Sequence, residues 1–427
     1  MSIAELLKTS YTAFHAVENA EKILKKSGFA KIPRGEQFSL KEGGKYYLVD
    51  RESALVAFTV GNVAEKNFYY KFVCSHADSP CFKIKHCAEN ISGKYSRLEV
   101  ESYGGGIWYS WFDRKLRLAG RLIVRKGEKV YARLCVSEEN FVIPSLAVHM
   151  NREVNKNFAV NVQTDTQPLF ALSSAVGGLN ALMKKFLAEG EELVDYDLYL
   201  VSAEEPFVSG AHGEFLTAAR VDNLACAFSS VEALANTKPG DGINVCAVFD
   251  SEEIGSETNQ GAGSNLLKRT AERIAFALGK SKEDFYAALE RSFAVSADNA
   301  HAAHPNKAEL SPINKVYLGD GVIIKHHANR NYTTDGFTAG VFKTLLDKNN
   351  IRYADFHMRS DMPCGGTLGK ISLGEISVDT LDIGIAQLAM HSAAETFALE
   401  DYDEMKKALS AFYACRLESA DGEVLLK

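Results

Sequence analysis

With 427 residues the chain exceeds the roughly 250–300 residues at which a single hydrophobic core stops growing, so more than one module is expected. A hydrophobic fraction of 46% and a charged fraction of 24% are those of an ordinary globular protein and exclude a disordered or fibrous chain. Forty-eight basic against fifty-five acidic residues leave a net charge of −7 without long single-sign runs, which excludes the basic footprint that a nucleic-acid partner requires.

The N-terminal stretch 2–28 has the spacing of an amphipathic helix. Lys8, Glu18, Glu21 and Lys22 interrupt its apolar residues, so it lacks the core of a signal peptide, and no run approaches the roughly 18 apolar residues of a membrane span. A soluble cytoplasmic protein with no membrane partner is the expectation. Short strands are predicted at Lys45–Val49 and Ala54–Val60, followed by a strongly apolar strand, Phe68–Ser75, that runs into His76-Ala77-Asp78. From 87 to 212 the texture changes to period-two runs, Arg97–Ser102, Arg121–Val124 and Val130–Cys135, with a helix near 174–189. This segment reads as a separate β-rich module. From 213 onward helices are predicted at 223–235, 262–278, 334–347, 383–398 and 401–414, alternating with strands at 243–250 and 292–297. Such alternation points to an α/β sheet covered on both faces, formed by 1–86 and 213–427. The eight cysteines form no C-x-x-C pair and lie mostly in apolar runs, as around Cys74 and Cys246, which suits reduced core thiols better than disulfides or a thiolate zinc site. Gly104-Gly105-Gly106 and Gly365-Gly366 do not fit a phosphate-binding fingerprint and read as tight turns, able at most to shape a pocket edge.

Four apolar, strand-like segments each end in a potential metal ligand. Phe72–Ser75 leads to His76, Asn244–Phe249 to Asp250 and then Glu252-Glu253, and Phe293–Ala297 to Asp298. Ile383–Met390, the first half of the stretch whose spacing reads as helix 383–398, leads to His391. Ligand sites in open α/β sheets form beyond the carboxyl ends of strands, so these residues could share one cleft. Asp222, just before the helix 223–235, is a fifth candidate. Taken singly, His76 is a strand-end histidine, Asp222 a helix cap and Glu252-Glu253 a solvated acidic turn. Asp78, two residues beyond His76, has the same-side spacing that lets it hold the imidazole by its second nitrogen. Paired carboxylates directly after a fully apolar strand repel one another unless cations lie among them. Two divalent ions close together need a bridging carboxylate, terminal ligands and a free carboxylate that manages a water proton. His76, Asp222, Glu252, Glu253, Asp298 and His391 supply that inventory, and carboxylate-rich sites of this kind accept zinc, manganese or cobalt.

At these residues the chain closely resembles the aspartyl aminopeptidase family of dinuclear metallopeptidases, which includes vacuolar aminopeptidases. The likeness runs through His76–Pro80, Tyr103–Gly106 with Trp111–Arg114, Ile143-Pro144 with His149, Ala219–Asn223, Phe249–Ser256, Ser296–Asp298 with His301 and His304, Asp361–Gly365 and Gln387–His391. The resemblance implies a mixed sheet flanked by helices, with 87–212 as an inserted dimerisation domain. It also implies His76, Asp222 and Asp298 on one metal, and Asp222, Glu253 and His391 on the other. Glu252 would be the general base and Asp78 would orient His76. His149 would reach a neighbouring subunit's site, and Lys325, with Tyr332 and Met358, would line the pocket for the substrate's N-terminal side chain. The implied activity is removal of N-terminal residues, acidic ones preferred, from peptides by a homododecamer carrying two ions, zinc first, per subunit. Two departures stand out. Asp250-Ser251 replaces a common Asp-Asn, and His326-His327 follows Lys325 where others differ, which bears on the side-chain preference. Three other readings stay open: a preference for neutral residues, a two-metal amidohydrolase or deacylase, and a non-catalytic assembly protein stabilised by metal.

Overall fold

The structure is a computed structural model that describes every residue except 65–67, 175–177, 373 and 421–422. Its centre is a mixed sheet whose middle strands run Ala54–Val60, Ile243–Phe249, Tyr70–His76, Phe293–Ala297 and Asp379–Leu388 in spatial order. The first four of these are buried at every position, as expected where helices cover both faces. Alternate side chains serve the two layers. Leu55, Ala57 and Val73 pack with helices Ala13–Lys26, Val221–Asn236, Gly336–Lys348 and Leu399–Ala414. Val56, Phe58, Phe72 and Cys74 pack with helices Leu266–Ala277 and Lys282–Glu290.

Ile243–Phe249, Tyr70–His76, Phe293–Ala297 and Asp379–Leu388 are mutually parallel, with Phe249 opposite His76 and Ala297 opposite Ile383. Their carboxyl ends therefore open on one edge of the sheet, where ligands are normally bound. A second sheet is wholly antiparallel, in the order Lys129–Val136, Leu116–Lys126, Glu192–Ser202, Cys81–Ser92, Tyr95–Tyr103, Leu169–Leu172. It has its own core, with Phe82, Trp111, Leu118 and Leu200 at the centre.

Several expectations are corrected. The stretch 2–28 is two helices, Ile3–Thr9 and Ala13–Lys26, because Asn19 donates from its amide to Thr9 and Ser10 and holds the chain in a corner between them. The stretch 383–398 is not a helix. Asp379–Leu388 is a strand, a turn with Ala389 and His391 in the left-handed region follows, and Glu395–Ala398 is a second strand. A central strand is apolar on both faces, so its residues satisfy a helical spacing as readily as an extended one. Helix 262–278 is shorter, Leu266–Ala277. Helix Lys282–Glu290, opened by a Ser281/Asp284 capping box, and strands Val322–His326 and Tyr353–His357 carry no expectation from the sequence. Near 174–189 the described helix is Gly178–Lys184, and 175–177 lie outside the described residues. Six cysteines are buried, Cys364 is half-buried and Cys87 is exposed. Among the described residues no helix is long and apolar enough to cross a membrane.

Candidate metal centre

Each of the parallel strands delivers its candidate to the shared edge. His76 is the last residue of Tyr70–His76, Glu252 and Glu253 form the short turn after Ile243–Phe249, and Asp298 follows Phe293–Ala297. Asp222 enters from the start of Val221–Asn236, where it and Asn223 have non-helical dihedrals and are joined by a cis peptide bond. His391 comes from the turn after Asp379–Leu388. The structure gathers them into overlapping sets of ligand atoms: His76, Asp222 and Asp298; Asp222, Glu253 and His391; and His76, Glu252 and Glu253. Nε2 of His76 lies 3.6 Å from Asp298 Oδ1 and 3.9 Å from both Asp222 Oδ1 and Glu252 Oε2. Nε2 of His391 lies 3.3 Å from Asp222 Oδ2 and 3.4 Å from Glu253 Oε1. Asp222 thus turns a different oxygen to each histidine.

The backbone around these groups is pinned by residues that are not themselves in the sets. Asp78, 4% exposed, lies 3.3 Å from His76 Nδ1, and its two oxygens accept the N–H groups of Glu252 and Glu253, each at 3.1 Å. The Tyr103 hydroxyl donates to the same carboxylate at 2.9 Å. His391 donates from Nδ1 to the Gly105 carbonyl at 2.8 Å, so the run Gly104–Gly106, read from sequence as mere turns, touches the site. Gly104 has φ +71°, and a Cβ there would stand 3.0 Å from that of Glu253. Ser251 sits at φ 66°, a left-handed position that asparagine adopts more readily than serine, which explains the Asp-Asn pair of the resemblance. Tyr103 and Gly105 fall in a segment that carries the resemblance, without a role read from it, whereas Glu395 is a contributor that sequence reasoning missed. It acts on two main-chain amides, a contact that leaves no residue pattern.

The electrostatics are those of crowded carboxylates. Burial pushes Glu252 up to about 7, aided by Asp298, Asp78 and Asp222, with His76 opposing. Burial and Asp222 hold Glu253 well above the usual carboxylate range. Burial would lower His391, but Asp222 and Glu253 raise it to about 10. Asp298 is also buried, yet Lys325 and His76 hold it down to about 2. So much buried negative charge with so few cations is the condition that divalent ions relieve.

The sequence matches the Aminopeptidase I zinc metalloprotease (M18) family over residues 6–413. It is 38% identical over 423 residues to the "Probable M18 family aminopeptidase 2" of Clostridium acetobutylicum, covering 96% of this chain and 97% of that one. To the "Probable aspartyl aminopeptidase" of Ricinus communis it is 35% identical over 463 residues, covering 96% and 94%. The chain belongs to the M18 family. It is accordingly a metal-dependent aminopeptidase. Among solved structures it resembles a chain of the Ape4 and Nbr1 complex, with a TM-score of 0.92 and 30% identity over 96% of this chain and 84% of that one. The mApe1 dodecamer of Saccharomyces cerevisiae gives 0.83 and 25% over 96% and 95%.

The residues present suit the zinc of an M18 enzyme. Asp222 Oδ1 and Glu253 Oε1 are buried without a hydrogen-bond partner among the described residues, as carboxylates reserved for a cation would be. Two ligand atoms each roughly 2.0–2.2 Å from one tetrahedral ion stand about 3.3–3.6 Å apart, close to the separations above. Beside these candidate ligands Lys325 is buried, 3.8 Å from Asp298 Oδ2, and it donates to the Asn299 carbonyl at 3.1 Å. Its ammonium stands 5.0 Å from the Tyr332 ring centre, and Met358 packs in the same small apolar cluster as Tyr332 and Phe356. Met358 also lines a cavity of about 1160 Å³ bounded by His326, His327 and His357. Among the described residues His149 joins none of these sets of ligand atoms. It stands exposed in the turn Val148–Met150 of a loop leaving the second sheet.

Proposed function

We propose that the chain removes N-terminal residues, acidic ones preferentially, from peptides at a centre of two divalent ions. Zinc is the first choice, and manganese or cobalt could serve. His76, Asp222 and Asp298 would hold one ion, and Asp222, Glu253 and His391 the other. The observation that carries this reading is the pair of three-residue sets sharing Asp222, one oxygen turned to each histidine. Such ions, when bound, polarise a scissile carbonyl and make water more acidic.

Glu252 is left to move protons. Its carboxylate belongs to neither of those two sets and takes the proton of the attacking water, then passes it to the leaving amine. Asp78 occupies His76 Nδ1 and so keeps Nε2 free to bind metal. Lys325, enclosed with Tyr332 and Met358, offers a fixed positive charge to an aspartate or glutamate side chain and nothing comparable to leucine.

His149 is assigned to the site of a neighbouring subunit, with 87–212 as the dimerisation module inserted into a catalytic domain of 1–86 and 213–427. Support comes from its surroundings, where Leu146, Val148, Met150 and Phe158 are all exposed in the single chain. The assembly is taken to be a homo-oligomer, a dodecamer as in the yeast relative, working on peptides in the cytoplasm.

The test reconstitutes the enzyme with each metal and measures kcat/KM for peptides beginning with Asp, Glu, Leu and Lys, in wild type and Lys325→Met. Acidic peptides should be favoured in the wild type. The variant should lose about 10–100-fold of the Asp-to-Leu ratio, as expected for a charge-assisted contact. An unchanged ratio would leave an aminopeptidase whose acidic preference, if any, lies elsewhere.

A further inference from the structure

We propose that Glu395 is the positioning residue for the Asp222 and His391 half of the metal centre, its single carboxylate fixing both ligand backbones at once. This rests on the two-metal reading above. Glu395 is 1% exposed and opens the strand Glu395–Ala398. Its Oε2 accepts the Asp222 N–H at 3.0 Å and its Oε1 accepts the His391 N–H at 2.6 Å.

Neither amide could be satisfied by regular structure. Asp222 follows Arg220 in the left-handed region and has non-helical dihedrals itself, and His391 sits at φ 68°. The two ligands come from elements 169 positions apart in sequence (391 − 222), and this one carboxylate bonds both of their backbone amides directly. Joined through it, their side chains meet at 3.3 Å. Asp78 acts alongside it, gripping the amides of Glu252 and Glu253 and facing the His76 ring, so that it touches a ligand of each set. The centre is therefore held by two buried carboxylates outside the proposed ligand sets, Asp78 and Glu395. Both oxygens of Glu395 are engaged with amides, which makes it a clamp and not a sixth ligand. A glutamine cannot replace it, because its one acceptor oxygen serves one N–H while its own N–H groups face the other.

The fold contains a control for this chemistry. Asp401, 0% exposed, also accepts two backbone N–H groups, from Gly319 at 2.7 Å and Gly321 at 2.8 Å, and touches none of the proposed ligands in the hydrogen bonds described. Full-length wild type, Glu395→Gln, Glu395→Ala and Asp401→Asn would be titrated with zinc against a competing chelator, and their metal-free forms melted. In the wild type two ions should bind. Both Glu395 variants should weaken one of the two binding steps about 10–100-fold, the scale on which outer contacts tune metal affinity. Asp401→Asn should lower the melting temperature of the metal-free protein and leave both zinc affinities unchanged.

Zinc affinities in Glu395→Gln within twofold of wild type would overturn the proposal, as would failure of both Glu395 variants to fold without metal, which would make the residue a folding element first. A wild type that takes up no zinc overturns the two-metal reading itself and this inference with it. A wild type that binds two ions alongside an unaffected Glu395→Gln overturns only the clamp.

Discussion

Glu252 and Glu253 are neighbours in sequence with unlike surroundings. The side chain of Glu253 is 4% exposed and faces His391, whereas that of Glu252 is 19% exposed and faces His76 across 3.9 Å. Their amides are tied to the same Asp78, so exchanging one side chain for its amide should not move the turn. Glu252→Gln is therefore expected to bind both ions as the wild type does while kcat falls by about 10²–10⁴, the usual contribution of a general base. Elemental analysis beside steady-state kinetics checks it. Loss of one ion in this variant would show that Glu252 is a ligand and that the base must be sought elsewhere.

Close approach between elements sets the position of Asp298. Its N–H bonds to the Ile383 carbonyl at 2.8 Å, and the next residue, Gly384, lies so near that an added Cβ would collide with the Asp298 carbonyl oxygen. Gly384→Ala should push the end of Phe293–Ala297 away from Asp379–Leu388. Overpacking of this kind costs about 1–3 kcal/mol, and the ion held by His76, Asp222 and Asp298 should be lost first. Zinc titration that finds both sites intact would show that the strand pair can relax without moving its ligand.

Helix Ala13–Lys26 offers a test of a different kind. Burial holds His15 down to about 4, against about 6.5 when free, with Glu18 opposing and Arg220 and Lys22 assisting. The folded chain then binds fewer protons than the unfolded one between those values. Stability from this residue is complete above pH 6.5 and falls as pH drops toward 4, by about 1.4 kcal/mol per pH unit at most. Wild type should lose more melting temperature between pH 7 and pH 5 than His15→Gln does. Equal losses would mean that His15 is protonated in the folded chain.

At the scale of the molecule, the large sheet carries the metal-ligand candidates and the second sheet carries His149 on an exposed loop. Leu146, Val148 and Met150, 56%, 51% and 74% exposed, are costly on a lone subunit and suited to burial against another copy. If His149 serves a neighbouring site, His149→Ala and Glu252→Gln should each be inactive alone and regain activity when mixed under conditions of subunit exchange. A hybrid pair then combines one intact Glu252 with a His149 from the other chain. Exchange proved by mass without recovered activity would confine His149 to its own subunit or remove it from the reaction.

The sequence by itself determined the residue types at the centre and the strands that deliver them. Metal chemistry admits few ligand types, and His76, Glu252, Glu253 and Asp298 each stand just beyond a strand whose unbroken apolar run marks it as buried on both faces. The segment Asp379–Leu388 escaped a secure reading for the same reason, since residues apolar on every side fit two periodicities, and only its pairing with Phe293–Ala297 and Val322–His326 decides for a strand. Which carboxylate grips which backbone was decided by the tertiary structure alone. Glu395 grips the main chain of Asp222, 173 positions away, as well as that of nearby His391, and Gly105 meets His391 from 286 positions away; a contact across such a separation requires no particular neighbour in sequence, only the closure of the fold around it.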